Sequence, residues 1–170
     1  IVRGYITGSG WAEYRRTQCV HGEPLPAGLV ESEEIPGGPL FTPSTKAEQG
    51  AHDENISLAR AAELVGADVA ARISAAARAL YTRAAEHARA RGIIIADTKF
   101  EFGMVGDELI LVDEVLTPDS SRFWAAAEYV AGRPQASFDK QYVRDWMKAN
   151  GLDTAAQHGT RVTLPDDVVQ

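Results

Sequence analysis

The sequence has only one cysteine, Cys19, among its 170 residues. An intrachain disulfide and a Cys-x-x-Cys metal site are therefore both excluded, and a reducing, cytoplasmic setting is the plain expectation. Apolar residues nowhere form the run of about 20 that a membrane-spanning helix needs, and no signal peptide is recognisable. We therefore expect no membrane partner.

Positive charge is also scarce, because 17 Lys and Arg residues face 24 Asp and Glu residues, giving a formal net charge of −7. Proteins that bind nucleic acid neutralise phosphates with an excess of Lys and Arg, so this balance argues against nucleic acid as a partner. A small anionic ligand needs only a few local positive groups and stays possible. Hydrophobic residues make up 45% of the chain, which is enough for a folded core.

The common phosphate-binding motifs are absent too. The glycine-rich segment 3–10 has neither the GxxxxGK[ST] spacing nor the GxGxxG spacing. Its turn still offers backbone N–H groups to an anion, and Ser9 adds a hydroxyl. In segment 117–122, Arg122 follows hydroxyl residues and can clamp a phosphate; the alternative is a helix N-cap beside a surface arginine.

The order of local patterns predicts an α+β domain with packed helices. A short strand, the turn 7–10, helical turns at 11–16 and a long, ordered, Pro- and Gly-rich loop at 22–45 come first. The predicted helices are 58–65 with Ser57 as N-cap, 68–91 with Asp68 as N-cap, and 138–150 with Ser137 as N-cap. On the second, residues 73, 77, 80, 81, 84 and 88 form one buried stripe.

Both ends of the chain look cut. It opens in strand-like sequence without an initiator Met, and it stops just after Pro165 begins a new helix. We expect one domain, residues 1–170, taken from a longer protein.

Charged residues alternate along a predicted hairpin, with strand 93–102, a glycine-bounded turn and return strand 108–116. Residues two apart in a strand face the same side, so Asp97, Lys99 and Glu101 are predicted to project together. The lysine can pair with the acids or contact a phosphate. The alternative is an exposed sheet face with cross-strand salt bridges.

Asp113 lies in an apolar run of the return strand, where a buried carboxylate needs a partner because an unpaired buried charge is costly. Carboxylates on two adjacent strands suit Mg²⁺, which binds one or two of them together with nucleotide phosphates. A further polar cluster, residues 46–55, includes Lys46, His52 and Asp53. By itself it is typical of a solvated loop, and its adjacent residues are poorly spaced to chelate zinc.

Five segments in order along the chain resemble the SAICAR synthetase family (phosphoribosylaminoimidazole-succinocarboxamide synthases) of purine biosynthesis. The resemblance spans roughly residues 1–150 and continues weakly to the end. The segments are Val2–Trp11 (VRGYITGSGW), Phe41–Lys46 (FTPSTK), His52–Ser57 (HDENIS), Asp97–Gly103 (DTKFEFG) and Asp113–Arg122 (DEVLTPDSSR).

This resemblance implies an α+β fold with a mixed or antiparallel sheet, related by analogy to protein-kinase and ATP-grasp architectures. It implies a ligase that joins L-aspartate to the carboxylate of carboxyaminoimidazole ribotide (CAIR) with ATP and Mg²⁺, through an acyl phosphate. Family members also carry an N-terminal lobe that covers ATP, and nothing in this sequence matches it. A small-molecule kinase of related fold and a non-catalytic scaffold are the alternatives, and a homo-oligomer is left open.

The resemblance also implies roles on the nucleotide side of the site. Glu101 and Asp113 are expected to be the magnesium ligands that face the nucleotide, with Asp97 as a third candidate. Lys99 is expected to contact ATP. Asp97 and Lys99 together are expected to orient the CAIR carboxylate and the phosphate in transfer.

On the substrate side, the resemblance assigns cationic and hydroxyl groups to the ribotide. Arg3, Ser9 and Arg122 are expected to hold its phosphate. Lys46 and Asp53 are expected to contact the imidazole or its carboxylate, and Asp53 is also a candidate for the catalytic machinery.

Overall fold

The structure is a computed structural model that describes residues 1–46, 53–152, 159 and 161–169, so His52 of the 46–55 cluster lies outside the described residues. The strands are β1 (Val2–Arg3), β2 (Cys19–Val20), β3 (Glu23–Pro24), β4 (Leu40–Phe41), β5 (Ile93–Thr98), β6 (Glu101–Val105), β7 (Glu108–Val112) and β8 (Ser121–Ala125). The helices are α1 (Gly8–Thr17), α2 (Leu58–Val65), α3 (Ala67–Arg89), α4 (Gln141–Ala149) and α5 (Asp166–Val169). Within the described ranges, none of these helices is both long and apolar enough to cross a membrane.

A four-stranded sheet in the order β4-β1-β5-β8 forms the centre of the fold, and each neighbouring pair is antiparallel. Helix α3 covers one face of this sheet, where Ala77 and Tyr81 pack against Val2, Phe41 and Ile95. The antiparallel alternative of the predicted α+β fold is thereby confirmed. Two further buried clusters form, one that includes Ile6 and Tyr14 and one that includes Tyr5 and Trp124.

Helices α2 and α3 begin at or close to the residues where local sequence signals predict them. Helix α2 has the predicted bounds, and the Ser57 hydroxyl accepts a hydrogen bond from the Arg60 N–H at 3.1 Å. Helix α3 begins at Ala67, so the prediction of Asp68 as its N-cap is wrong; Asp68 lies in the first turn, where its charge complements the helix dipole. Leu80 was predicted in the buried stripe but is 37% exposed, because it lies to the side of the face that meets the sheet.

The prediction of one continuous strand over 93–102 is wrong. Strand β5 ends at Thr98 in the central sheet, and β6 starts at Glu101 in a separate two-stranded sheet with β7. Between them the Lys99 N–H donates to the Ser120 carbonyl at 2.8 Å, which draws the chain out of the sheet. Asp97 and Glu101 therefore do not lie along one strand face.

A bulge in β5 decides which way Asp97 points. Ile95 packs under α3, and strict alternation would turn Asp97 towards the same face. The β5–β8 register shifts between these two residues. Asp97 instead pairs with Arg3, which follows the α3-facing Val2 and so faces away from that helix.

Two further predictions near the hairpin and the last long helix need correction. Asp113 is exposed and has a positive φ of 66°, because it lies just past the end of β7 where the chain turns away, so its predicted burial is wrong. Helix α4 begins at Gln141 rather than 138, and Ser137 is not its cap. The buried carboxylate of Asp139 accepts from the Gln141 N–H at 2.8 Å instead.

Candidate functional site

Three charged residues form a row across three neighbouring strands. In the antiparallel register Arg3 of β1 lies opposite Asp97 of β5, and Asp97 lies opposite Arg122 of β8. Directly opposed residues in a sheet hold their side chains within reach of each other. Oδ2 of Asp97 accepts from Nη1 of Arg3 at 3.1 Å and also from Nη1 of Arg122. The sheet therefore holds two guanidinium groups around one carboxylate, and we call these three residues the arginine cluster.

Arg3 is only 1% exposed, and its remaining donors are also directed at polar atoms. Its Nε donates to the Thr42 hydroxyl at 3.2 Å, and its Nη2 lies 3.5 Å from the Ser9 hydroxyl. Burial lowers the pKa of Arg3, and the Asp97 carboxylate acts in the opposite direction. Such a fixed guanidinium is already oriented for an anion before that anion binds.

The start of α1 lies against this cluster. Gly8 has a φ of +55°, and a Cβ on it would lie 2.6 Å from Nη2 of Arg122. A side chain at this position would therefore displace the arginine. The prediction of helical turns from residue 11 is wrong by three residues, because the turn 7–10 is itself the first turn of α1. First-turn N–H groups of a helix favour anions, so Ser9, Arg3 and Arg122 adjoin a site suited to a phosphate.

A second charged group, which we call the lysine cluster, surrounds Glu101 at the start of β6. Its Oε1 pairs with Lys99 Nζ at 2.6 Å, and its Oε2 pairs with Lys46 Nζ. Hydrogen bonds from Lys46 and then from Lys99 lower the pKa of Glu101 to about 2. The same bonds raise the pKa of both lysines. Glu101 is therefore ionised, and both lysines are charged, at neutral pH.

Asp113 lies beside the lysine cluster. It directly follows Val112, the residue opposite Glu101 in the hairpin, and its charge contributes to the raised pKa of Lys46 and Lys99. In the described part of the chain no three His, Cys, Asp or Glu residues group closely enough to hold a metal by themselves. Two carboxylates nevertheless fit a magnesium ion that nucleotide phosphates also bind.

Asp97 is placed differently from these two carboxylates, since it binds the two arginines. The prediction that Asp97 is a third magnesium ligand is left without support from its contacts, and it stays a prediction. Glu101 and Asp113 are the better matched pair, because they flank the same end of the β6–β7 ladder.

Two adjoining cavities link the clusters. One, of about 370 Å³, is lined by Lys46, Asp53 and Glu101 together with an apolar wall that includes Phe100. The other, of about 240 Å³, is lined by the arginine cluster and Ser9. Lys99 lines both cavities. All nine site residues predicted from the sequence therefore lie in these cavities or, for Asp113, beside the lysine cluster.

Sequence reasoning missed part of the smaller cavity. Lys140, Arg144 and Asp119 line it, and Asp139 joins them at the start of α4. The available signal was the four-residue spacing of Lys140 and Arg144, which places two cations on one face of a helix. Thr42, which holds Arg3, carried no such signal.

Comparison with known proteins gives consistent matches. A family model described as SAICAR synthetase matches residues 1–160. The phosphoribosylaminoimidazole-succinocarboxamide synthase of Candida maltosa is 57% identical over 169 residues, which are 99% of this chain and 56% of that protein. The solved SAICAR-synthase from Saccharomyces cerevisiae complexed with SAICAR has a TM-score of 0.87 at 55% identity, over 99% of this chain and 53% of that one. A SAICAR synthetase (Type-2) in complex with ADP has a TM-score of 0.64 at 26% identity, over 96% and 63% of the two chains.

The fold and the clusters define an α+β domain with two adjoining cavities that are lined by cationic side chains. The chain belongs to the SAICAR synthetase family. It spans about half the length of the curated relatives it matches, for example 56% of the Candida maltosa protein.

Proposed function

We propose that the protein carrying this chain condenses CAIR with L-aspartate at the expense of ATP, giving SAICAR, ADP and phosphate. The observation that carries the proposal is the pair of preorganised clusters, one of arginines and one of lysines, on either side of the short segment from Asp97 to Glu101. Family membership supports it, as do the names of the relatives and the SAICAR and ADP in two solved structures of the family.

The chemistry explains why such a site needs concentrated positive charge. A carboxylate is a poor electrophile, so its oxygen first attacks the γ-phosphorus of ATP, and ADP leaves with the electron pair of the broken P–O bond. The aspartate amine then attacks the acyl carbon, loses a proton and expels inorganic phosphate. Every reactant is anionic, so fixed cations lower the barrier by offsetting charge that gathers in the transition state.

The arginine cluster is suited to the ribotide phosphate. Arg3 and Arg122 present guanidinium groups beside the first turn of α1, and Ser9 adds a hydroxyl. Asp97 holds both arginines in place, which makes it a positioning residue for the phosphate as well as a candidate for orienting the CAIR carboxylate.

The lysine cluster is suited to the carboxylate and to the phosphate in transfer. Lys99 lines both cavities, so it can contact the two reacting groups, while Lys46 and Asp53 face the larger cavity with the imidazole. Magnesium, when bound, would offset the charge of the triphosphate, and Glu101 with Asp113 would hold it. The lone, partly buried cysteine and the biosynthetic role together favour a cytoplasmic setting.

The test is ADP release by the intact gene product that contains these 170 residues. We expect release that requires both CAIR and L-aspartate, with SAICAR as the product detected by mass spectrometry. Lys99→Met should reduce kcat by at least about a hundredfold, because removing a group that stabilises transferred charge costs several kcal/mol.

The matched control is Lys148→Met, which removes an exposed lysine from the last turn of α4. It should keep wild-type turnover. ADP release that needs CAIR but not L-aspartate would point to a small-molecule kinase, and no ADP release with any combination would point to a non-catalytic scaffold. Either outcome contradicts the proposed ligase.

A further inference from the structure

The first residue of the turn between β2 and β3 is buried, although hairpin turns ordinarily lie on the surface. The turn consists of His21 and Gly22, which have φ values of 52° and 83°. Two-residue turns with positive φ at both positions prefer the pair Asn-Gly. The histidine therefore gives the turn no local advantage, and its burial indicates a role in a contact with a distant part of the chain.

That contact is with the carbonyl group of Pro43. Nδ1 of His21 lies 3.0 Å from the Pro43 oxygen, and a carbonyl only accepts, so Nδ1 is the donor. The same oxygen accepts from the Ile56 N–H at 3.1 Å. Gly22 adjoins this junction, since a Cβ built on it would lie 3.6 Å from the Cβ of Ser57. The turn thus contacts two chain segments at the point where they meet.

Residues 43–46 and 53–57, which we call the two arms, run antiparallel from this junction. The Thr45 N–H donates to the Glu54 carbonyl at 2.9 Å, and the Glu54 N–H donates to the Thr45 hydroxyl at 3.0 Å. An antiparallel bridge joins the arms one residue closer to the junction. The arms therefore move as one unit, and the Pro43 carbonyl lies at its base.

The arms carry two predicted site residues and are connected to α1 through the same turn. Lys46 and Asp53 lie on the arms, and both line the larger cavity. The His21 N–H donates to Oε1 of Glu13 at 2.9 Å, and Glu13 belongs to α1, whose first turn brings Ser9 to the smaller cavity. His21 therefore joins the arms of one cavity to the helix of the other.

We propose that His21 is a positioning residue for CAIR, which holds the two arms so that Lys46 and Asp53 keep a fixed place relative to α1. This inference rests on the proposed function, in which those two residues contact the imidazole or its carboxylate. His21 is not among the described residues that line the two cavities, so it acts through the arms and not on the substrate. Arms that are already ordered spare CAIR the entropy of ordering them when it binds.

Two substitutions separate the hydrogen bond from the shape of the turn. His21→Gly removes the ring and accepts a positive φ without strain. His21→Asn also suits this φ, and its side-chain N–H can replace Nδ1 as the donor to the Pro43 carbonyl. The asparagine variant is therefore the matched control, because the two variants differ in the donor and not in the backbone that they allow.

Steady-state kinetics of the intact gene product give the first test. His21→Gly should raise the KM for CAIR about fivefold or more and leave the KM for L-aspartate within about twofold. Its kcat should fall less than about threefold, because saturating CAIR itself orders the arms. His21→Asn should return all three values to within about twofold of the wild type.

Hydrogen exchange of the same protein measures the arms without turnover. In His21→Gly, peptides that cover the arms should exchange about fivefold faster or more, whereas peptides of α3 should keep the wild-type rate. Faster exchange in α3 as well would mean that this variant is unfolding. Glu13→Ala then replaces it, because it removes the acceptor that holds the turn to α1, and it should speed exchange in the arms about twofold or more. Glu13→Gln keeps an acceptor and should exchange like the wild type.

Three results would overturn the positioning role: wild-type exchange of the arms in both His21→Gly and Glu13→Ala, an equal defect in His21→Asn and His21→Gly, or a KM for L-aspartate that rises as much as the KM for CAIR. Failure of the proposed function looks different. The arms would then exchange faster in His21→Gly and normally in His21→Asn, but the wild type would release no ADP that depends on CAIR and L-aspartate.

Discussion

The hydroxyl of Tyr81 occupies the space that a side chain on Gly4 would need. A Cβ built on Gly4 lies 1.9 Å from the Tyr81 oxygen, which donates a hydrogen bond to the Ile95 carbonyl at 2.6 Å. The tyrosine thereby ties α3 to β5 directly beneath the strand that carries Arg3. This close packing beneath β1 supports the position of Arg3 in the site.

Gly4→Ala should therefore destabilise the fold by about 1–3 kcal/mol, as overpacking of a core does. Urea unfolding measures the change. In a Tyr81→Phe background the cost of the same substitution should be smaller, because the nearest atom is gone. Gly103→Ala is the control, since a Cβ there meets its nearest neighbour at an ordinary 3.6 Å. Equal midpoints for the two alanine variants would contradict the packing argument.

Asp97→Asn should be far more costly than an ordinary surface substitution. It leaves the buried guanidinium of Arg3 without its charge partner, and breaking a buried ion pair from one side typically costs about 3–5 kcal/mol. Asp119→Asn breaks the exposed pair with Lys140 and should cost much less, because solvent screens an exposed ion pair. Urea unfolding measures the stability loss in each variant. Similar midpoints for both would show that the arginine cluster does not depend on Asp97.

Glu101→Gln keeps the shape of the side chain but removes its charge. If Glu101 holds magnesium, the Mg²⁺ concentration for half-maximal turnover should rise about tenfold or more, while the KM for CAIR changes little. Glu108→Gln, on the exposed start of β7, is the control. Near-normal magnesium-dependent turnover in Glu101→Gln would remove it from the metal site.

His21 should make stability depend on pH. The residue is 5% exposed, Nδ1 lies 3.0 Å from the Pro43 carbonyl, and within the described residues Nε2 is buried without a hydrogen-bond partner. Burial lowers the pKa of His21 below its usual 6.5, against a smaller opposing effect of the Pro43 bond. The unfolded chain therefore takes up this proton first, so the contribution of the neutral ring is complete above about pH 6.5 and is lost progressively below it.

Unfolding by urea at several pH values between 7.5 and 5 tests this dependence. His21→Asn suits the positive φ of 52° at this position and should lose less stability on acidification than the wild type. The matched control is His87→Asn, which removes an exposed imidazole and leaves the buried one. A wild-type pH profile in His21→Asn would refute the assignment.

Local signals were enough to predict some elements from the sequence. Helix α2 has its predicted bounds because Ser57 and Gly66 act on the backbone within a few residues. The hairpin was also predicted, but its turn was placed at 103–107, whereas β6 runs to Val105 and only Gly106 and Asp107 separate it from β7. In contrast, the alternation of charges runs unbroken from Asp97 to Glu101, while the strand itself ends after Thr98. That break depends on a contact with Ser120, which no local pattern records.

The site was predictable in its membership but not in its arrangement. The family resemblance named Arg3, Asp97 and Arg122, yet only the register of three strands shows that they meet around one carboxylate. The β5 bulge that turns Asp97 towards them has no signature in the sequence. Lys140 and Arg144 were missed because segment 138–150 was predicted only as a helix, and no role was assigned to the cations on its surface.

The segment that joins β5 to β6 is short, and the protein can tolerate little change in its length. Four peptide units join Asp97 to Glu101, so the backbone distance between these two residues is at most about 14 Å. The arginine cluster and the lysine cluster are therefore no further apart than about the length of a small metabolite. One inserted residue would add about 3.3 Å and turn every following β6 side chain to the opposite side of its ribbon. A single insertion or deletion in this segment would therefore shift the lysine cluster relative to the arginine cluster, which no substitution of a side chain there does.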